Sequence, residues 1–188
     1  MSGIEELDED RLGALARKLD RPLVLIGLMG TGKSTIGRRI AGMLGLDFVD
    51  ADDEIVHASQ RSISEIFDEF GEDYFREGER RVIARLMTEN KGVIATGGGA
   101  FVNDETRALI LEQGIAIWLD CDIDTLVERT SRRNTRPLLK QGDPREILTR
   151  LKEERSGAYS KAQVHVVTGD LPHHETAMQV LEALEKWL

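Results

Sequence analysis

GLMGTGKST, Gly27 to Thr35, closes the apolar run RPLVLIGL (21–28) and precedes Ile36, Ile40, Met43 and Leu44, which recur at helical spacing. A buried strand, a glycine-rich loop and a helix in that order are the setting of a phosphate-binding loop, and Gly27-x-x-x-x-Gly32-Lys33-Ser34 has its spacing. The chemistry explains the residue types. Backbone N–H groups must turn inward together to form an anion nest, and glycines allow the dihedrals this needs. The helix N-terminus adds the positive end of its dipole. Lys33 then reaches the β- and γ-phosphates, the Ser34 hydroxyl can ligate Mg²⁺, and Gly30, Thr31 and Thr35 complete the nucleotide-binding stretch. The competing structural reading, a plain strand-to-helix turn, does not account for Lys33 and Ser34 together. The loop is therefore read as holding the phosphates of a nucleoside triphosphate.

The rest of the chain limits what such a loop serves. Its 188 residues suit one domain, and 40% hydrophobic content is enough for a core. A net charge of −9 argues against general nucleic-acid or membrane-surface binding. Cys121 is the single cysteine, so no intrachain disulfide forms. No apolar run approaches the ~20 residues of a membrane span, and MSGIEELDED lacks the basic and apolar regions of a secretory signal. A cytoplasmic location is expected.

Strand and helix patterns alternate along the chain. After the loop come a short strand LDFVDAD (46–52), a helix opened by the capping box of Ser62 and Glu65, and a longer helix over about 73–89. GVIATGGG (92–99) and IAIWLD (115–120) are strands, with a helix near 104–112 between them. A helix over 123–133, a breaker-rich basic loop over 132–146, a helix capped by Asp143, the strand VHVV (164–167) and a helix near 174–188 complete the series. A weak amphipathic helix over 4–18 precedes the first strand. This is the α/β class: a five-stranded parallel sheet with helices on both faces, whose ligands bind beyond the strand C-terminal ends.

Besides the glycine loop and Asp120, two clusters fall at such ends, and a third, of arginines, lies on the helices and the basic loop. Asp50 and Asp52, two apart on a strand, share a face; one could serve Mg²⁺ and the other an acceptor hydroxyl, or either could cap the next helix. Gly97, Gly98 and Gly99 offer bare backbone that a ligand can approach closely. Arg76, Arg129, Arg132, Arg133, Arg136 and Arg155 stand in otherwise acidic surroundings. Guanidinium groups suit carboxylate and phosphate, although a solvated helix face with acidic i,i+4 neighbours is the default for any one of them. Arg136, followed by Pro137 in the loop, fits that default least. There is no N-K-x-D guanine signature, and the chain is too short for a motor with coupling domains.

In this combination the sequence resembles shikimate kinase from about Pro22 onward: GLMGTGKST, FVDAD, RSISEIF…GEDYFREGE, TGGGA, RTSRRNTRPLL and ER…Y occur in the family's order and spacing. The resemblance implies transfer of the ATP γ-phosphoryl group to the 3-hydroxyl of shikimate, in aromatic amino-acid biosynthesis, by a monomer with a fold like that of nucleoside monophosphate kinases. It implies one kinase domain over 1–188, with an N-terminal helical extension (1–20), a substrate-binding helical region (about 52–90) and a lid (about 131–145). Lys33 would contact the transferred phosphate, Ser34 and Asp50 would hold Mg²⁺, and Asp52 would bond the substrate hydroxyls and serve as candidate base. Arg76 and Arg155 would clamp the carboxylate, and Gly97, Gly98 and Gly99 would shape the pocket. Arg136 would bring charge from the lid, and Arg129, opposite the loop around Pro172, would stack on adenine. One departure is Gly157, where the family places proline; it is expected to loosen the segment carrying Arg155.

Two other functions are weighed against this one. A gluconate-type small-metabolite kinase would not need the Arg76/Arg155 pair or the glycine run. A non-catalytic regulatory module would be expected to lose Lys33, Asp52 or Arg136, and all three are present. The remaining special residues read as structural: Cys121 and Trp118 as core, Trp187 as packing for the last helix, and the four histidines as lacking metal-ligand spacing.

Overall fold

A computed structural model describes residues 7–89, 92–132 and 137–188. Five parallel strands, β1 (Leu23–Ile26), β2 (Phe48–Asp50), β3 (Val93–Ala95), β4 (Ile115–Cys121) and β5 (Val164–Thr168), lie in the order β2-β3-β1-β4-β5. β1 sits at the centre, its Leu23 opposite Val93 of β3 on one side and Ile115 of β4 on the other. It is apolar throughout because both of its faces are covered. Leu23 and Leu25 point to the layer of α2 (Lys33–Leu44), α9 (His173–Trp187) and α1 (Glu9–Lys18), where Ile36, Ile40, Leu181 and Leu15 are buried. Val24 and Ile26 point to the layer of α5 (Glu72–Glu89), α6 (Asp104–Gln113) and α8 (Pro144–Tyr159), against Ile83, Ile110 and Leu148. The arrangement is the expected three-layer sandwich.

The order places the ends of β1, β2 and β3 side by side. β1 runs into the glycine loop, β2 into aspartates, and β3 into Thr96 and the glycine run. A small separate core of Ile55, Ile66 and Phe75 joins α3 (Ala51–Ser59), α4 (Ile63–Phe70) and α5 beside these ends. The capping box at Ser62 and Glu65 is present as the sequence pattern predicts. α7 (Ile123–Ser131) leads toward the basic loop, of which residues 137–141 form a 3₁₀ turn.

Several local details go beyond the sequence reading. The strand read over 46–52 ends at Asp50, whose carboxylate caps α3 by accepting from the Asp52 N–H at 2.9 Å. Asp52 therefore lies in a helical first turn rather than on a strand. The α3 helix itself was not legible as a periodic segment: its nine residues bury only Ala51 and Ile55. α8 runs on through Arg155 to Tyr159, so Gly157 lies inside a helix. Trp187 is 40% exposed at the end of α9. Trp118 and Cys121 are buried as read.

Gly157 is exposed, and a Cβ added there meets nothing within 4 Å. Gly157→Ala is expected to stabilise the fold by about 0.5–1 kcal/mol, seen as a rise of ~2–3 °C in the thermal midpoint. A fall in the midpoint would contradict a continuous α8.

Candidate functional site

The phosphate loop folds as its glycines require. Gly27, Gly30 and Gly32 have φ of 140°, 85° and 90°. Gly27 also passes so close to β4 that a Cβ would lie 2.5 Å from the Leu119 carbonyl oxygen. Gly32 caps α2, whose first turn carries no acidic residue, so the helix dipole is left for an anion. Lys33 Nζ donates to the carbonyls of Gly27 and Leu28, at 2.8 Å each, which curls the buried ammonium over the nest. Gly30, Gly32, Lys33, Ser34 and Thr35 line a cleft of about 1250 Å³. The Thr31 side chain is buried and donates to the Leu28 carbonyl, toward which the Thr31 N–H also points at 3.4 Å, so Thr31 braces the loop from within.

Beside the loop, the Ser34 hydroxyl donates to the Asp50 carboxylate. Because Asp50 also caps α3, one carboxylate joins the loop helix to the helical region. A hydroxyl and a carboxylate oxygen in contact are hard donors suited to Mg²⁺, which commonly takes one or two protein oxygens and fills its octahedron with water and phosphate. Among the described residues no cluster of three or more His, Cys, Asp or Glu offers a second metal site.

The glycine run forms the other wall. A Cβ on Gly99 would lie 2.3 Å from Arg76 Nη2; one on Gly98 would lie 3.3 Å from Arg155 Nη1. Two guanidinium groups from α5 and α8 thus rest on adjacent peptides of one turn. On Gly97 a Cβ would meet Glu79 Oε1 at 2.8 Å and Asp52 Oδ1 at 3.0 Å. Asp52, Arg76 and Arg155 therefore converge at a place that only glycine backbone leaves room for.

Glu79 is a residue the sequence reading missed. It is 2% exposed, and its Oε2 accepts from Arg76 Nη1 at 2.7 Å. Burial raises its carboxyl pKa; the Arg76 charge works against that shift, and the Asp52 charge adds to it. Burial also opposes the Arg76 charge, but Glu79 and Glu72 outweigh it, and the pKa is raised. Both partners move up. The arginine stays charged because two carboxylates bond it, whereas Glu79 is bonded by Arg76 alone, with Arg155 acting only through its charge, and leaves Oε1 without a hydrogen bond among the described residues. The available signal was the i,i+3 pair in REGE, which presents an acid to Arg76 on one helix face.

At the far end, Arg129 donates to the Thr31 carbonyl at 3.5 Å and the Gly169 carbonyl at 3.2 Å, tying the phosphate loop to the β5–α9 connection. Asp170, Leu171, Pro172 and His173 line the cleft there. Met29, Ile63, Phe67 and Phe75 give it apolar surface, which the motif reading did not anticipate. Arg136 and Arg133 lie outside the described residues, as does part of the segment read as a lid.

The pattern of the family described as shikimate kinase matches residues 29–185. The chain belongs to the shikimate kinase family. It is 54% identical over 186 residues to the shikimate kinase of Novosphingobium aromaticivorans, covering 97% of this chain and 96% of that one. It is 56% identical over 166 residues to the shikimate kinase of Caulobacter vibrioides, covering 88% and 83%. Among solved structures, the shikimate kinase of Acinetobacter baumannii in complex with shikimate superposes with a TM-score of 0.87 at 31% identity, over 91% of this chain and 97% of that one. The fold class and the family expected from the sequence both hold.

The raised carboxyl pKa of Glu79 has a definite sign. Its contribution to stability is fully present below its unfolded pKa and is lost as pH rises through its higher native pKa. The stability of the wild type relative to Glu79→Gln is therefore expected to grow as pH is lowered from the alkaline side toward the ordinary carboxylate range. Denaturant melts across that range check it; a difference that shrinks toward acid would contradict the burial argument.

Proposed function

We propose that this chain transfers the γ-phosphoryl group of ATP to the 3-hydroxyl of shikimate, giving shikimate 3-phosphate and ADP. The observation that carries the reading is the pair Arg76 and Arg155, resting on Gly99 and Gly98 and facing the same cleft as Lys33 and Asp52. Two guanidinium groups apart from the phosphate loop call for an acceptor with its own anion, and a carboxylate suits their paired planar donors. The apolar patch of Phe67, Phe75 and Met29 suits the carbon face of a ring.

The roles follow from position. The loop N–H groups and the α2 N-terminus hold the phosphates, and Lys33 exchanges the Gly27 and Leu28 carbonyls for phosphate oxygens. Ser34 and Asp50 would hold Mg²⁺, which supplies charge neutralisation across the phosphates when bound. Asp52, beside Gly97, receives the acceptor hydroxyl, orients it in line and takes its proton as the new bond forms. Arg76 and Arg155 fix the acceptor carboxylate, Arg129 and the loop at Pro172 bracket the base, and Arg136, outside the described residues, would add charge as the family resemblance implies. Helices α3–α5 serve as the acceptor-binding region of a single kinase domain. The same reading makes the protein a monomer acting on small molecules, with no nucleic-acid or membrane partner. Its net charge of −9 supports this, and no helix of the described residues is long and apolar enough to cross a membrane.

Release of ADP from Mg·ATP is expected to depend strongly on shikimate, and Lys33→Ala to lower turnover by about a hundredfold or more. Shikimate-independent release, or a panel of hydroxy acids in which gluconate alone stimulates, would reject the acceptor. Arg76→Ala is expected to raise the shikimate KM by about tenfold or more, the loss of a charge-assisted pair. An unchanged KM would remove Arg76 from the clamp. Asp52→Asn is expected to abolish most turnover while leaving ATP affinity as it is, measured by nucleotide titration; wild-type-like turnover would end its proposed role.

A further inference from the structure

Tyr159 is the last residue of α8 and only 1% exposed, yet its phenol reaches the cleft wall and donates to the Gly98 carbonyl. Its ring is fixed from behind by Trp118, with centroids 5.7 Å apart. Burial raises its pKa, so the hydroxyl stays a donor at ordinary pH. Gly98 is the point where the two halves of the site meet. A Cβ there would lie 3.3 Å from Arg155 Nη1, 3.4 Å from the Met29 nitrogen and 3.6 Å from the Gly27 oxygen. The next part of the turn is held separately: Arg107 Nη1 donates to the Phe101 carbonyl at 3.2 Å and the Val102 carbonyl at 3.0 Å.

Across a trans peptide, the C=O of one residue and the N–H of the next point in opposite directions. A hydroxyl that fixes the Gly98 carbonyl therefore also fixes the Gly99 N–H, directed away from Tyr159. Among the described residues neither the Gly98 nor the Gly99 N–H has an acceptor within the protein, and both residues line the cleft. The Ala100 N–H closes the turn on the Gly97 carbonyl at 3.2 Å, but a turn closed in this way admits either orientation of its central peptide when glycines occupy it. We propose that Tyr159 is a positioning residue for the acceptor: its hydroxyl sets the Gly98–Gly99 peptide plane, so that the Gly99 N–H and Arg155 meet the acceptor carboxylate together. The Arg155 guanidinium also bears on the Tyr159 hydroxyl, so Tyr159 acts on the acceptor through that plane and through Arg155.

This role rests on shikimate being the acceptor, so the test begins with wild type. Tyr159→Phe removes the hydroxyl and keeps the ring against Trp118, and a Trp-fluorescence melt confirms that the packing is retained. The shikimate KM is expected to rise about five- to tenfold, as for loss of one buried hydrogen bond, with kcat and the ATP KM within about twofold. In an Arg155→Lys background the same change is expected to cost less, because both act on one contact. An unchanged shikimate KM in Tyr159→Phe, beside a shikimate-dependent wild type, would overturn the proposal; so would an equal rise in the ATP KM, which marks general loosening. A wild type that shikimate does not stimulate would overturn the acceptor reading, and the role of Tyr159 with it.

Discussion

Gly99 presents its bare Cα to the Arg76 guanidinium, at a spacing where a Cβ would lie 2.3 Å from a nitrogen. Gly27 does the same to the Leu119 carbonyl, and Gly97 to Glu79 and Asp52. At each place a charged group or a neighbouring strand occupies the volume that any other residue would fill. The cleft depends on this constraint. Phosphate donors and carboxylate donors must lie within one small substrate of each other, and backbone is the only wall thin enough to separate them.

The central position of β1 makes the arrangement possible. Flanked by β3 and β4, β1 has no exposed edge, and its loop is fixed to the most buried part of the sheet. β3 ends beside it in the glycine run, and β2 beyond in Asp50. Asp50 then does two things with one carboxylate, capping α3 and meeting Ser34. A ligand that draws Ser34 and Asp50 together through a cation therefore also acts on the first turn of the helical region that carries Asp52. Arg129 makes a comparable tie at the other end, between the phosphate loop and the connection to α9.

The layer order was legible from sequence because β1, β3 and β4 are covered on both faces and read as unbroken apolar runs. The phosphate loop was legible because its conformations admit few residues besides glycine. What did not show had weak local signals. α3 has two buried residues and no stripe, and its start was hidden in a run of acids read as a strand end. Glu79 looked like any acidic helix residue; its importance lies in where α5 packs, which spacing alone does not reveal. Tyr159 was recognisable as part of a family pattern, yet its bond to Gly98 joins residues 61 apart in the chain. Gly157 favours no helix by itself, and packing of Leu148, Leu151 and Tyr159 carries α8 past it.

The central claim is that this cleft moves phosphate to one hydroxyl of a cyclic carboxylate and excludes water. Phosphorus NMR of a mixture of the protein, Mg·ATP and shikimate tests it directly. One new phosphomonoester resonance is expected, correlated through its coupling to the proton on carbon 3 of the ring and growing in step with ADP. Inorganic phosphate as the main product, or an ester on another hydroxyl, would contradict it.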